Sequence, residues 1–303
     1  MEKLIPIRQS RIRRLLTGWA VFKENLLGKI GLMLLGVFAL MALGSFIPPH
    51  IDPMYQPMTG VDPHIYNSTP PSLKHWLGTD FMGRDIFSQL LAGARIAFMV
   101  GVSAAFMSIV LGTVIGMLSG YMGKFTDTFF MRLADIFMVL PVLLVILILA
   151  SLFGQLNIWI IVLIISLFKW PGVSRVIRAQ TLSLKERPFI DAARVVGTSH
   201  FRIILKHILP NVLPLSFLYM TFMVTYAIIV EASLAFLGFG DPGTVSWGMM
   251  LQWVWKTGHM FKAPYWLLPP GICISLITLS FYMVGRAMDD VLDPRLQKTK
   301  TVE

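Results

Sequence analysis

Apolar residues gather into six long blocks separated by polar connections, at about Ile30–Ile47, Ala94–Gly120, Ile136–Phe153, Ile158–Val176, Val212–Leu237 and Trp266–Val284. A helix crossing a bilayer needs about 20 predominantly apolar residues, so the pattern predicts an all-α, polytopic membrane protein with six transmembrane helices. Pro48-Pro49 stops the first block, Pro141 predicts a kink in the third, and Lys169-Trp170-Pro171 interrupts the fourth. The leader before the first block is 29 residues long and basic, with no small-residue cleavage site ahead of the prolines, so the first span is expected to stay rather than be removed as a signal peptide.

Composition agrees with the pattern. Hydrophobic residues make up 55% of the 303 and charged ones 14%, against about 25% charged in a soluble domain. Mean hydropathy is +0.70. A soluble globular protein is excluded. The single cysteine, Cys273, lies inside an apolar block, which rules out an internal disulfide and a multi-cysteine metal site.

The net charge of +10 raises the question of nucleic acid, and the placement of the charges answers it. Lys and Arg number seven in 1–29, two in 121–135, eight in 169–210 and four in 285–303, which is 21. The alternate connections carry four: Lys74, Arg84, Lys256 and Lys262. Positive charge is retained on the cytoplasmic side, so both termini are expected inside a prokaryotic cell membrane and segment 48–93 outside. The expected organisation is a cytoplasmic tail 1–29, a first span 30–47, an outer loop 48–93, a five-helix core 94–284 with an inner loop 177–211, and a cytoplasmic tail 285–303. Segment 48–93 holds seven prolines and is expected to be an extended, rigid surface segment. The asymmetry accounts for the basic charge without nucleic acid.

Few residues carry chemistry. Ala104, Ser108, Gly112, Gly116 and Gly120 form a ladder of small residues at successive i+4 steps in the second block; such a stripe lets another helix approach closely, either within the chain or at a subunit surface. Glu231 is the acidic residue deep in an apolar block, suited to a hydrogen bond that anchors the following loop or to contact with a solute or gate. His200 and His207 are seven apart, but no third ligand sits at a useful spacing and Arg194, Arg202 and Lys206 lie nearby, so no metal site is expected. The chain has no G-x-x-x-x-G-K-[ST] phosphate loop, G-x-S-x-G elbow, H-E-x-x-H motif or paired mid-span acids. An enzyme is not expected, and if transport is driven, energy enters from another polypeptide.

The inner loop 177–211 then becomes central. Pro188 can start a helix, Asp191-Ala192-Ala193 continues it, Gly197 lets the backbone turn out, and a second helical stretch, Ser199 to Leu209, leads through His207-Ile208-Leu209-Pro210 into the fifth span. The Asp-Ala-Ala, Gly, Leu-Pro pattern resembles the cytoplasmic signature of permease subunits in ATP-binding-cassette importers. Leu77-Gly78-Thr79-Asp80, Gly83-Arg84-Asp85, Gly93-Ala94-Arg95, Glu231-Ala232-Ser233-Leu234, Phe236-Leu237-Gly238, Ser246-Trp247-Gly248, Pro270-Gly271 and Leu292-Asp293-Pro294-Arg295 resemble the dipeptide, oligopeptide and nickel permease group. The extra N-terminal span resembles its C-type member. Departures are Asp191 where Glu is commoner, His207 where the broad superfamily has Ile, and a proline-poor stretch between Gly238 and Trp247.

The resemblance implies a type I importer fold. A sister permease would complete a heterodimer around the translocation path, with two ATPase subunits below and an extracytoplasmic substrate-binding protein above. The coupling helix would comprise Pro188, Asp191, Ala192, Ala193 and Gly197, with His207, Leu209 and Pro210 leading onward. This chain would bind no cofactor, ATP and Mg residing on the ATPases. Peptides are the expected solute, with oligosaccharides, nickel chelates or glutathione-like compounds as alternatives on the same machinery. A secondary transporter is the competing class; it would normally need intramembrane ion sites and repeated broken helices, and Glu231 alone does not supply them.

Overall fold

The computed structural model describes residues 22–65, 67–154 and 156–292. The outer parts of both tails, including Asp293-Pro294-Arg295, lie outside the described residues. Helices run α1 Leu26–Gly44, α2 Ile47–Ile51, α3 Ile86–Met122, α4 Lys124–Val139, α5 Val142–Phe153, α6 Ile158–Lys185, α7 Pro188–Val195, α8 His200–Ile203, α9 Leu209–Leu237, α10 Trp247–Lys256 and α11 Pro264–Leu292, with a π-helical turn at Ile204–Ile208. Five helical stretches are long and apolar enough to cross a membrane, and a sixth span exists if the bent pair α4 and α5 counts as one. Extended pairing among the described residues is an isolated antiparallel bridge between Thr79 and Asp85.

Side chains mark the helix starts as their chemistry requires. The Asn25 Oδ1 accepts from the Gly28 N–H at 3.0 Å, Asp85 Oδ2 from Ser88 at 2.7 Å, and Asn157 Oδ1 from Trp159 at 2.9 Å; each satisfies a donor that the first helical turn leaves free. Asn25 also donates to Asp290 Oδ2 at 2.7 Å, tying α1 to α11.

The structure departs from the sequence reading at several places. The third block, Ile136–Phe153, is not one kinked helix: α4 ends at Val139, α5 begins at Val142, and the two are bent by 72°. Proline lacks an N–H and disfavours the helical region at the residue before it, and Leu140 accordingly sits at φ −82°, ψ 121°. The fourth block, by contrast, runs unbroken through Lys169-Trp170-Pro171. Here Ser174 donates to the Pro171 carbonyl at 2.8 Å and α6 is packed along α3, so tertiary contact overrides the proline. The second span begins at Ile86, not Ala94, because the Asp85 cap starts the helix two turns earlier. The connection 238–265 contains α10, and the second inner stretch passes through the π turn directly into α9.

Segment 48–93 differs most. It is not an extended surface strap: Asp62, His75, Thr79, Asp80, Arg84 and Asp85 are buried, because these charges satisfy one another. Asp80 accepts from Arg84 Nε at 2.6 Å and Gln89 Nε2 at 2.8 Å. His75 meets Asp85 at 2.9 Å through Nδ1 and Asp62 at 3.3 Å through Nε2. Gly78 and Gly83 hold φ of +81° and +79° in the turns that bring these side chains together.

Three apolar clusters follow the bundle from end to end. The first joins Phe38, Ile86, Val224, Trp247, Trp266 and Ile277, from α1, α3, α9, α10 and α11. The second joins α3, α5, α6 and α9 around Val100, Ile146, Ile165 and Leu234. The third lies at the end bearing α7 and packs Ile177, Ile190, Ile203 and Ile208.

Candidate functional site

Two regions concentrate the residues singled out above. At one end of the bundle, α7 starts with Pro188 at its first position and has Asp191 in its first turn, which Arg194 pairs at 2.9 Å. Acid early and base late both suit the helix dipole. The helix ends in a Schellman closure: Thr198 N–H donates to Ala193 O at 3.0 Å and Gly197 N–H to Arg194 O at 2.9 Å. Gly197 holds φ +77°, the left-handed conformation that this closure needs.

One side of α7 is anchored. Ile190 is fully buried among Ile177, Ile203, Ile204 and Ile208, and Ala193 and Leu209 pack against the same cluster. The other side is bare. Val195 is 88% exposed and Val196 84%, while Asp191, Ala192, Phe189 and Phe201 are also exposed. These exposed apolar side chains lie among the charges of Arg187, Arg194 and Arg202, and exposed apolar patches with polar rims mark surfaces for protein or membrane contact. His200 and His207 take separate partners: His200 Nδ1 meets the Tyr121 hydroxyl at 3.0 Å, and the His207 ring lies against Phe189. Pro210 follows the π-helical turn Ile204–Ile208 at the start of α9.

The small-residue ladder faces α6 of the same chain. A Cβ on Gly112 would lie 2.6 Å from Val173 Cβ, on Gly116 2.6 Å from the Ser174 carbonyl, and on Gly120 2.8 Å from Thr181 Cβ. Ser166 donates to the Ala104 carbonyl at 3.2 Å, and Ser108 is buried between them.

At the other end, α10 is fitted between α3 and α9. The Trp247 indole N–H donates to the Leu90 carbonyl at 2.9 Å, and a Cβ on Gly93 would lie 2.2 Å from that ring. Gly248 is as tightly placed, its Cβ position being 2.3 Å from the Ala232 carbonyl. Glu231 is buried in α9 and faces the hydroxyl of Ser246, the residue that caps α10. Glu231 thus sits at the α9–α10 joint. The Arg84 guanidinium, clamped by Asp80, stacks 4.0 Å above the Trp253 ring and joins this end of the bundle to segment 52–85.

Sequence reasoning missed two features. Lys169 reads as a break in an apolar block, whereas it projects from the unbroken α6 beside the bend between α4 and α5. The buried cluster around His75 reads as loop charge, and its signal was the density of Asp, His and Arg around Gly78 and Gly83 in 75–85.

The comparisons agree with this architecture. Residues 112–298 match the family described as binding-protein-dependent transport system inner membrane component. A putative peptide permease protein of Brucella suis is 37% identical over 279 residues, covering 91% of this chain and 89% of its own length. The dipeptide transport system permease protein DppC of Bacillus subtilis is 35% identical over 92% of this chain and 85% of its own. The oligopeptide transport system permease protein OppC of Haemophilus influenzae is 38% identical over 75% and 73%. With a match across more than half its length and relatives of this identity, this all-α, multi-span chain belongs to the family of inner membrane components of binding-protein-dependent transport systems, the type I permease fold.

Proposed function

We propose that this chain is the C-type permease subunit of an ATP-driven importer of peptides, non-catalytic itself. A sister permease completes the translocation path, a binding protein delivers the solute at the end bearing α10 and segment 52–85, and two ATPases dock at the end bearing α7. Both termini and α7 lie in the cytoplasm, in keeping with the 21 to four split of basic residues. The names of the relatives support peptides as the cargo.

The observation that carries the reading is the two-sidedness of α7. Its buried Ile190 fixes it to α6 and to the turn leading into α9, so a displacement of α7 is passed to both helices. Its exposed side gives an ATPase cleft something apolar to grip. Closure of the ATPases on ATP then moves α7, and the spans follow as packed bodies between inward-facing and outward-facing arrangements, which is alternating access by rigid-body shift. ATP and Mg belong to the ATPases.

Cysteine placed at Ala192 or Val195 in a Cys273→Ala background of the whole complex tests this. A short bifunctional thiol reagent is expected to join either position to an ATPase subunit, with a yield that changes between nucleotide-free and ATP-bound states. Failure to cross-link at both positions in every nucleotide state overturns the coupling role of α7.

A further inference from the structure

At the bend between α4 and α5 a cavity of about 420 Å³, open on one side, is walled by Phe137, Pro141, Phe168, Met223 and Tyr226. Lys169 projects into it. Its ammonium lies 3.9 Å from the centre of the Tyr226 ring, in the position for a cation–π contact. Among the described residues no carboxylate pairs with this ammonium and no acceptor takes its hydrogen bonds. An ionisable group inside a span is costly and is kept where it faces a partner, a cavity or a transported species. Ammonium carries three donors and no acceptor, and an aromatic face satisfies only part of it. The first turn of α5 adds to the same field, since Val142 and Leu143 also line the cavity and no side chain caps that turn. Glu231 is not part of the lining.

The geometry points to a carboxylate-binding subsite: an ionised carboxylate of the solute in transit sits in this cavity against Lys169 Nζ, with the solute's body on the surrounding aromatic rings. The inference rests on the peptide reading for its particular ligand, the free C-terminal carboxylate that every unblocked linear peptide carries. Lys169 then recognises what all such cargo shares and leaves side-chain variety to the apolar walls. The cation–π contact with Tyr226 holds the ammonium in the cavity between passages.

The test uses the whole detergent-purified complex in a Cys273→Ala background, with Met223→Cys as a thiol reporter on the cavity wall. Its reaction with an anionic sulfonatoethyl methanethiosulfonate is compared with that of a cationic trimethylammonioethyl one, each normalised to a free thiol in solution. With Lys169 present the anionic reagent is expected to be favoured about tenfold, from one positive charge lining the same cavity. Lys169→Met abolishes the preference and Lys169→Arg keeps it. A tripeptide with a free C-terminus slows anionic labelling, and its C-terminal amide does not. Equal charge preference in the Lys169 and Lys169→Met backgrounds, no reaction at position 223, or no difference between acid and amide each overturns the subsite. A carboxylate of another subunit neutralising Lys169 would give the first of these. Labelling does not require transport, so the two readings fail separately: a complex that keeps the charge preference yet shows no ATP-driven peptide uptake overturns the importer reading and leaves the cavity's chemistry standing.

Discussion

Gly197 separates backbone geometry from bulk at the proposed coupling element. It holds φ +77°, and a Cβ built on it meets nothing within 4 Å. Replacement therefore costs left-handed strain alone, about 1–2 kcal/mol for an L-residue, with no added term for a larger side chain. That cost lowers the ratio of closed to open Schellman turn about 5- to 30-fold. Ile190 remains buried, so the rest of the bundle keeps its anchor. ATP-driven uptake by the complete importer, ATPase stimulation by the loaded binding protein and the midpoint of thermal unfolding form the assay. Gly197→Ala and Gly197→Leu are expected to lose transport to a similar degree, at most about 5- to 30-fold, because they share the strain and differ only in atoms that point into open space. Gly197→Asn should keep most activity, since asparagine tolerates the left-handed region. All three should unfold within a few degrees of wild type. Wild-type uptake by the alanine and leucine variants, or loss by asparagine as deep as by leucine, would refute the argument.

Two further predictions concern the opposite end of the bundle. Gly93→Ala places a Cβ 2.2 Å from the Trp247 ring, which must move and lose its hydrogen bond to Leu90, at a cost of about 1–3 kcal/mol. Following the labelling of the buried Cys273 by a fluorescent maleimide on heating, the midpoint should fall by several degrees and recover in part when Trp247→Leu is added; an unchanged midpoint in the single variant sinks the packing argument. Asp62 is held well below the ordinary carboxylate range, first by the hydrogen bond from Lys74 and then by that from the His64 backbone, against the opposing effect of burial. A depressed folded pKa contributes stability that is complete above the unfolded value, about 4, and is lost as pH falls below it. Amide protection factors over 58–85 should therefore fall on acidification below about pH 4, and Lys74→Met should shrink that fall because it brings the folded value closer to the unfolded one; an equal fall in both proteins would show that the pair does not hold this segment.

Prolines 141 and 171 show where the sequence was legible and where it was not. Both interrupt apolar runs, and local propensity treats them alike. The first ends a helix because the residue before it takes an extended conformation. The second is absorbed because Gly112, Gly116 and Gly120 let α3 lie against α6 from Trp170 to Thr181, and Ser166 bonds the Ala104 carbonyl on the side before it. That outcome depends on a neighbour some 60 residues earlier in the chain, as the 62-residue separation of the Ser166–Ala104 bond illustrates, and no local pattern encodes it. The long spans and the glycine at the end of α7 were readable because hydrophobic length and backbone conformation are local properties. The burial of segment 52–85 was not, since a row of Asp, His, Arg and Lys is a solvated loop until each finds its partner, and these partners lie as far as 26 residues apart.

The two ends of α3 are held by different chemistry, and this bears on how the bundle can move. At its start, directional contacts dominate: Asp85 caps the helix and is itself held by His75, Arg84 is clamped between Asp80 and Trp253, and Trp247 bonds the Leu90 carbonyl. Breaking a buried charged pair by removing one partner costs about 3–5 kcal/mol, so this end moves as one block with α10. Toward its other end, α3 meets α6 through glycines and the isoleucine cluster beneath α7, apolar contacts that tolerate small sliding, beside the hydrogen bond of Tyr121 to His200. Between them lies α4, entered through Gly123 at φ +65° and left through the 72° bend at Pro141. In the proposed coupling, a displacement received at α7 reaches α6 through the isoleucine cluster, and with it α4, whose Asp127 and Asp135 are ion-paired to Arg178 and Arg175 of α6. Lys169 lies on that same α6 beside the 72° bend, so the proposed shift of α6 would carry the ammonium along the cavity wall formed by Phe137 and Pro141.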